Sequence, residues 1–466
     1  MQRGIGIILR AFLILFLFAQ IGAASAVLPA PVQLFPDRIL VNLLKSPGQT
    51  FIVSSTPNPM KVIIDSNLPI AGFAASQEVS DAALARIRYS ELGEGRYRLV
   101  FDFNYQLFDI TALETEYDIT LEIAKTYTRT TERVVTRGVV YGHQRRADSF
   151  GPNVVNYIRV NLAVGNEVKL ALAQNRVFGS ENVSALSERY GAIAAVNGAF
   201  FSGDGRPVGL VAIDGELISE PYAARTALGI GPHGLAMERV DWQGQVFVAE
   251  EWLAQISGLN RPRLTDELII YTPIYGSWTG TNDYGFEVTV VDGTVTNVQI
   301  GNSPIPPNGV VLSGHGLNRE VLSQLAVGDE VAINIQLTPP WLEQGFSQII
   351  GGGPRLVRDG ELSLNGEEEL FRSDVLQGRA PRTAIGVTAS GELLLVTVNG
   401  RQPNISVGMS LAELGRLLIE LGAVQAMNLD GGGSTTMVIR DLVLNLPSNG
   451  QERPVSNAIL ILAPQK

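Results

Sequence analysis

Two strings in this chain occur twice in the same order. Asp214-Gly215-Glu216-Leu217 precedes Arg225-Thr226-Ala227-Leu228-Gly229, and Asp359-Gly360-Glu361-Leu362 precedes Arg382-Thr383-Ala384-Ile385-Gly386. Asp-Gly accepts the positive φ angles of a two-residue hairpin turn, and the Arg-Thr-Ala runs have the apolar character of strands. A hairpin followed by an Arg-Thr strand, used twice, predicts two related halves facing one another across a shared cleft. Composition agrees: 49 Gly and 24 Pro in 466 residues, with many Val, Ile and Thr, favour short strands joined by turns over a helical bundle. The expected fold class is α+β, a β-rich mixed-sheet domain with a few helices and two related halves, preceded by a small all-β domain.

Three regions follow from the pattern along the chain. Arg3 and Arg10 flank the start of an apolar run, Ala11 to Ala19, and Ala24-Ser25-Ala26 has the small residues of a signal-peptidase site. Residues 1–26 therefore read as a signal peptide. The expectation is export to the extracellular space or cell envelope; the alternative is an uncleaved anchor, since only Gln20 interrupts the apolar stretch from Ala11 to Leu28. Residues 27–137 alternate polar and apolar positions, as in Lys61-Val62-Ile63-Ile64-Asp65, and predict a β-rich N-terminal domain. The main domain spans 138–466, with a β-rich insertion at about 240–345 whose Tyr275-Gly276-Ser277-Trp278 turn is a candidate rim for the cleft.

Composition also excludes chemistries. The absence of cysteine removes disulfides, thiolate zinc sites and a cysteine nucleophile, and having only His143, His233 and His315 argues against a multi-histidine zinc centre. No cofactor is called for, while carboxylate oxygens leave calcium or magnesium open and the metal ligands unassigned. A net charge of −11 argues against nucleic acid as a partner and against a general anionic-membrane binder. An anionic substrate would have to meet a local cationic patch, which makes arginines inside Gly-rich motifs informative.

The strongest local signal is Asn428-Leu429-Asp430-Gly431-Gly432-Gly433-Ser434-Thr435-Thr436. Three glycines beside one carboxylate let main-chain N–H groups approach an anionic or sugar ligand. Before it, Ser410-Leu411-Ala412-Glu413 fits a capping box, and Leu411, Leu414, Leu417, Leu418 and Leu421 recur at helical spacing. An amphipathic helix ending at Gly422, then a buried strand over 423–429, would bring Asp430 to a strand end, where binding and catalytic groups concentrate. Further polar candidates sit beside glycine or turns: Asn197, Arg225, Arg382 with Thr383, Asn399 with Arg401, and Arg453 with Asn457. Converging arginines would bind a phosphodiester through planar, bidentate donors. Each also has a bland reading: Arg225 and Arg382 as partners of surface carboxylates, Asn197 and Asn399 as turn residues, Arg453 as a solvent-facing charge.

In order along the chain, AAVNGAFF (194–201), GPRLVRDGEL (353–362), PRTAIGV (381–387), LLLVTVNGRQP (393–403), MNLDGGGSTTMV (427–438) and RPVSNAI (453–459) resemble the phosphodiester glycosidase family. The resemblance covers roughly 138–466. It implies a hydrolase that cleaves a sugar-1-phosphodiester of the N-acetylglucosamine type, with a phosphate-linked glycan as partner and a role in exopolysaccharide or cell-wall metabolism. It carries over Asn197, Arg382, Thr383, Asp430, Gly431, Gly432, Gly433 and Ser434. Ala199 departs from the Gly or Asp that relatives commonly have there. On this reading Asp430, Asn197 and Arg382 are the catalytic candidates. Arg225, Thr383, Asn399, Arg401, Gly431, Gly432, Gly433, Ser434 and Arg453 are the substrate-binding ones, with Arg382 and Arg225 expected on the phosphate. Residues 27–137 resemble small β-rich modules that bind cell-wall polymers. The alternatives are a non-catalytic polysaccharide-binding protein of the cell envelope, and a phosphodiesterase that attacks phosphorus, which needs a denser set of metal ligands. Cleavage at the expected site gives an exported protein whose first residue by N-terminal sequencing is Val27; an intact Met1 terminus on the exported chain contradicts it.

Overall fold

A computed structural model describes residues 31–464, and the expected signal peptide lies outside the described residues. Half of the residues are in strands and 9% in helices, which makes the fold a β-rich α+β one. The chain divides into two compact units between Ala124 and Lys125. The division falls there rather than after residue 137, because Tyr127–Thr136 pairs antiparallel with Val139–Asp148 and so belongs to the second unit.

The first unit holds two antiparallel sheets of four and five strands. Strict alternation buries one face of each, as in Met60–Ser66 and Arg38–Leu44, where every second residue is buried. On the other face of the five-stranded sheet, the cross-strand pair Arg98 and Asp65 forms a bidentate ion pair at 2.6 and 2.8 Å.

The second unit is built around an eight-stranded sheet and two five-stranded ones. Near-continuous apolar strands run through them, because both faces are covered. In Leu393–Val398, Leu393 and Leu395 enter the core shared by the three sheets, while Leu394, Val396 and Val398 pack under the helix Leu411–Glu420. That helix begins with the expected capping box: Ser410 accepts from the Glu413 N–H and the Glu413 carboxylate accepts from the Ser410 N–H. Leu411, Leu414, Leu417 and Leu418 are its buried face. Gly422, at φ 95°, turns the chain into the strand Ala423–Asn428, which ends one residue earlier than the apolar pattern suggests.

The repeated strings fold alike. Asp214-Gly215 and Asp359-Gly360 all have positive φ and close hairpins between Val211–Ile213 and Glu216–Ser219, and between Arg355–Arg358 and Glu361–Leu362. In one sheet the order is the first hairpin, Gln348–Gly351, Thr226–Gly231, Gly234–Arg239. In the other it is the second hairpin, Ala423–Asn428, Arg382–Thr388, Leu393–Val398. Each half thus inserts a strand leading into a Gly-rich segment between its hairpin and its Arg-Thr strand. Residues 241–338 form two further sheets of three and five strands, with a hydrophobic cluster they share with Leu210, Ala227 and Ile349 of the first half.

The helix over the eight-stranded sheet gives a graded test. Leu414→Ala should destabilise the second unit by about 2–5 kcal/mol through a cavity, and Ser410→Ala by about 1 kcal/mol through the lost cap. Chemical unfolding should resolve that order; equal small effects would contradict the packing described.

Candidate active site

Strand ends of the eight-stranded sheet and of the five-stranded sheet that holds Ala194–Asn197 meet at the Gly431–Gly433 turn. Asn197, only 1% exposed, closes the strand Ala194–Asn197 and is the knot of the site. Its amide Nδ2 donates to the Asp430 carbonyl at 2.6 Å, and its Oδ1 accepts from the Thr383 hydroxyl at 2.8 Å and from the Thr436 N–H at 3.1 Å. Main-chain bonds reinforce the knot: Asp430 N–H to the Gly198 carbonyl, Leu429 N–H to that of Thr383, and Gly432 N–H to that of Pro381. A side chain at 431 would strike the Pro381 carbonyl at 2.8 Å, and Gly432 sits at φ 61°. Both positions therefore demand glycine.

Asp430 keeps a partial opening to solvent. Desolvation by the surrounding protein pushes its carboxyl up to about 6, against the Ser434 hydroxyl, the Arg453 charge and the Gly431 N–H, which favour ionisation. The Ser434 hydroxyl is fully buried and makes no hydrogen bond of good geometry, and the same holds for the hydroxyls of Thr435 and Thr436.

The arginines divide into two kinds. Arg382, 4% exposed, donates Nε to the Met409 carbonyl at 2.9 Å and Nη2 to those of Val375 and Gly378 at 3.0 and 2.6 Å. Burial, with the nearby Arg401 charge, pushes its pKa down to about 10, so it remains a cation at neutral pH. Its Cα lies 3.6 Å from where a Gly431 side chain would begin, beneath the turn. Arg225 is clamped elsewhere: Nε and Nη2 donate to the Glu369 and Leu370 carbonyls, and the guanidinium lies 3.8 Å from the Phe371 ring centroid and 4.6 Å from that of Tyr222. Arg401 and Arg453 are exposed and have no hydrogen-bond or ion-pair partner among the described residues. Arg401 Nη2 would lie 3.2 Å from a side-chain atom at Gly432, and Arg453 lies across Gly433 with its guanidinium 5.0 Å from the Phe201 ring. Arg401 is itself held at φ 61°, a conformation costing of order 1–3 kcal/mol.

The structure therefore gathers Asp430, Gly431 to Gly433, Ser434, Asn197, Thr383, Arg382, Arg401 and Arg453 around one turn. Asn197 and Thr383 are positioning residues whose polar groups are directed into the protein. Asn399 is 3% exposed and ties the neighbouring loop, its Oδ1 accepting from the Leu446 N–H at 3.3 Å. Arg225 belongs to the cluster around Phe371. Sequence reasoning passed over Glu369, which is 0% exposed and accepts from the Thr226 N–H, the Thr226 hydroxyl and the Arg355 N–H. Within Glu367-Glu368-Glu369 it reads as part of a solvated acidic run, and only its burial distinguishes it. Among the described residues no group of three or more His, Asp or Glu is arranged to hold a metal ion.

A carboxylate at a glycine turn beneath two unpaired arginines lies at strand ends of this β-rich fold. The family model described as phosphodiester glycosidase matches residues 284–462, a stretch that includes Arg382, Arg401, Asp430 and Arg453. It is similar to N-acetylglucosamine-1-phosphodiester alpha-N-acetylglucosaminidase of Bos taurus and of Homo sapiens, 28% identical to each over 167 residues, 34% of this chain. That alignment spans 27% and 28% of those two proteins. The fold is shared with a hypothetical protein from Synechocystis, at TM-score 0.65 and 24% identity over 91% of this chain and 77% of that one. A Burkholderia pseudomallei K96243 protein matches at TM-score 0.60 and 22% identity over 90% and 98% of the two chains.

The raised Asp430 pKa carries a stability consequence. Its folded value near 6 exceeds the ordinary 3.8, so between these the folded chain binds the extra proton, and stability falls as pH rises through that window. Asp430→Asn should match the parent melting temperature near pH 3.5 and exceed it above pH 7. A gain independent of pH would contradict burial as the cause.

Proposed function

We propose that this chain is an exported hydrolase that cleaves the glycosidic bond of a sugar-1-phosphodiester of the N-acetylglucosamine type, with a role in exopolysaccharide or cell-wall metabolism. The observation that carries this reading is one buried carboxyl, Asp430, at a glycine turn flanked by two unpaired guanidinium groups, Arg401 and Arg453. The family match and the names of the bovine and human relatives support the substrate class.

The chemistry follows from the leaving group. A departing phosphomonoester, with a second pKa near 6, needs less proton donation than a sugar alcohol, so one carboxylate with cationic stabilisation suffices. The phosphate oxygens take charge-assisted hydrogen bonds from Arg401 and Arg453, each contributing about 1.5–3 kcal/mol where water is excluded. Arg382 adds its buried positive charge beneath the turn, while the Gly433 N–H and the Ser434 hydroxyl serve the remaining oxygens; the Gly432 N–H is held by the Pro381 carbonyl and the Gly431 N–H faces the Asp430 carboxyl. Asp430, ionised above about pH 6, attacks the anomeric carbon or deprotonates the attacking water. The C1–O bond breaks and its electron pair stays with the phosphate oxygen, releasing a phosphomonoester; the oxygen of water ends on C1 to give the free sugar, either directly as Asp430 takes its proton or by hydrolysis of the glycosyl–Asp430 ester in the nucleophile route. The anomeric configuration of the sugar separates the two roles, because a nucleophile retains it and a base inverts it.

Hydrolysis in oxygen-18 water tests the reading: label in the sugar supports it, label in the phosphate means attack at phosphorus, and absence of turnover favours a polysaccharide-binding role. Turnover should fall with an acid limb near pH 6. Asp430→Asn should lower kcat by at least about a thousandfold, and Arg401→Ala or Arg453→Ala should each lower kcat/KM about tenfold, a loss of ~1.4 kcal/mol, with little change in affinity for the neutral sugar. Full activity in Asp430→Asn would remove that residue from the chemistry.

A further inference from the structure

We infer that the substrate is an anionic glycan chain rather than a single sugar phosphodiester, held by a second subsite between the 174–178 turn and the insertion; this rests on the phosphodiesterglycan reading above. The hairpin 200–208 leads from one to the other. It leaves the strand end at Asn197, where the Gly198 carbonyl accepts from the Asp430 N–H, and puts Phe201 under Arg453. Its tip then meets the 174–179 segment: the Gly179 N–H donates to the Asp204 carbonyl, and a side chain at Gly205 would strike the Gly179 carbonyl at 2.1 Å. Antiparallel pairing of Glu181 with Val455 brings the same segment alongside the stretch that carries Arg453.

Beyond the hairpin tip lies a cavity of about 670 Å³, lined by Arg176, Phe178, Tyr275 and Ile305 among others. It adjoins a second hollow of about 220 Å³ that shares Asn175 and Ile274 with it. The rings of Phe178 and Tyr275 meet edge to face at 5.0 Å, an arrangement that leaves ring surface for the apolar faces of a sugar. Arg176 is exposed; its backbone N–H donates to the Ala173 carbonyl, while its guanidinium has no hydrogen-bond or ion-pair partner among the described residues. Arg206 sits on the connecting hairpin, paired with Asp204 at 3.7 Å, and its charge reaches the Tyr275 hydroxyl. Arg453 and Arg176 thus place unpaired cations at the two ends of this stretch, with Phe201, Phe178, Tyr275 and the Asp204-paired Arg206 along it, on a chain whose net charge is −11. Aromatic faces set between cations match a ligand that alternates sugar rings with negative charges. A single sugar phosphodiester at Asp430 would leave this stretch unused.

The test compares N-acetylglucosamine-1-phosphate methyl ester with a hexamer of N-acetylglucosamine units joined by 1-phosphodiester linkages, in hydrolysis and in titration calorimetry. The parent should prefer the hexamer at least tenfold in kcat/KM per scissile bond and in Kd. Arg176→Glu, an exposed change that tests charge without touching the core, and Tyr275→Ala should each reduce that preference about tenfold. Length-dependent binding without hydrolysis, lost in the same variants, would sink the catalytic reading and keep the subsite. Equal handling of the two probes by the parent, no binding of either, or an unchanged preference in Arg176→Glu would overturn the subsite.

Discussion

The site depends on the buried amide of Asn197. A side chain with both a donor and an acceptor is needed at that point, because the Asp430 carbonyl, the Thr383 hydroxyl and the Thr436 N–H converge from different strands and none can be left unpaired without a cost of about 1–3 kcal/mol. One planar amide satisfies all three. It thereby locks the strand before the glycine turn, the Arg-Thr strand and the strand after the turn into one arrangement. The carboxyl of Asp430 is thus held at the end of a rigid element, although it lies in a loop.

Within that frame the arginines separate by what occupies their donors. Burying a guanidinium is tolerable only where its N–H groups find acceptors, and Arg382 finds three backbone carbonyls. It holds the 375–378 and 409 segments in place and lends a fixed positive charge to the floor of the turn. Arg401 and Arg453 stay hydrated at the rim, so their donors remain available to an incoming anion. The like charge of Arg401 lowers the Arg382 pKa, a repulsion that a bound phosphate would relieve.

The duplicated halves have diverged at one equivalent place. In the second half the Thr383 hydroxyl meets Asn197 and the Gly-rich segment beyond the inserted strand carries Asp430. In the first half the Thr226 hydroxyl meets Glu369, and the guanidinium of Arg225 is covered by Phe371 and Tyr222. The segment 369–371 fills the first half with the protein's own carboxylate and ring. The same strand order therefore yields one packed position, where the Arg225 guanidinium is covered, and one where Arg401 and Arg453 keep unpaired guanidinium groups beside the turn.

Local signals were legible in the chain itself. The Asp-Gly hairpins, the capping box at Ser410, the leucine face of the helix and the glycines at 431 to 433 each follow from φ preference, spacing or backbone hydrogen bonding over a few residues, and the order of motifs exposed the repeated strand order and the resemblance to phosphodiester glycosidases. Burial and partnership were not legible, because they are set by residues far apart in the sequence. Arg382 and Arg401 look alike as letters, yet one meets three carbonyls and the other meets solvent; Glu369 sits in an acidic run, yet is sealed in the core. Which donors are spent, which charges are free, and how far desolvation lifts the Asp430 carboxyl were decided only when two sheets brought their strand ends to one turn.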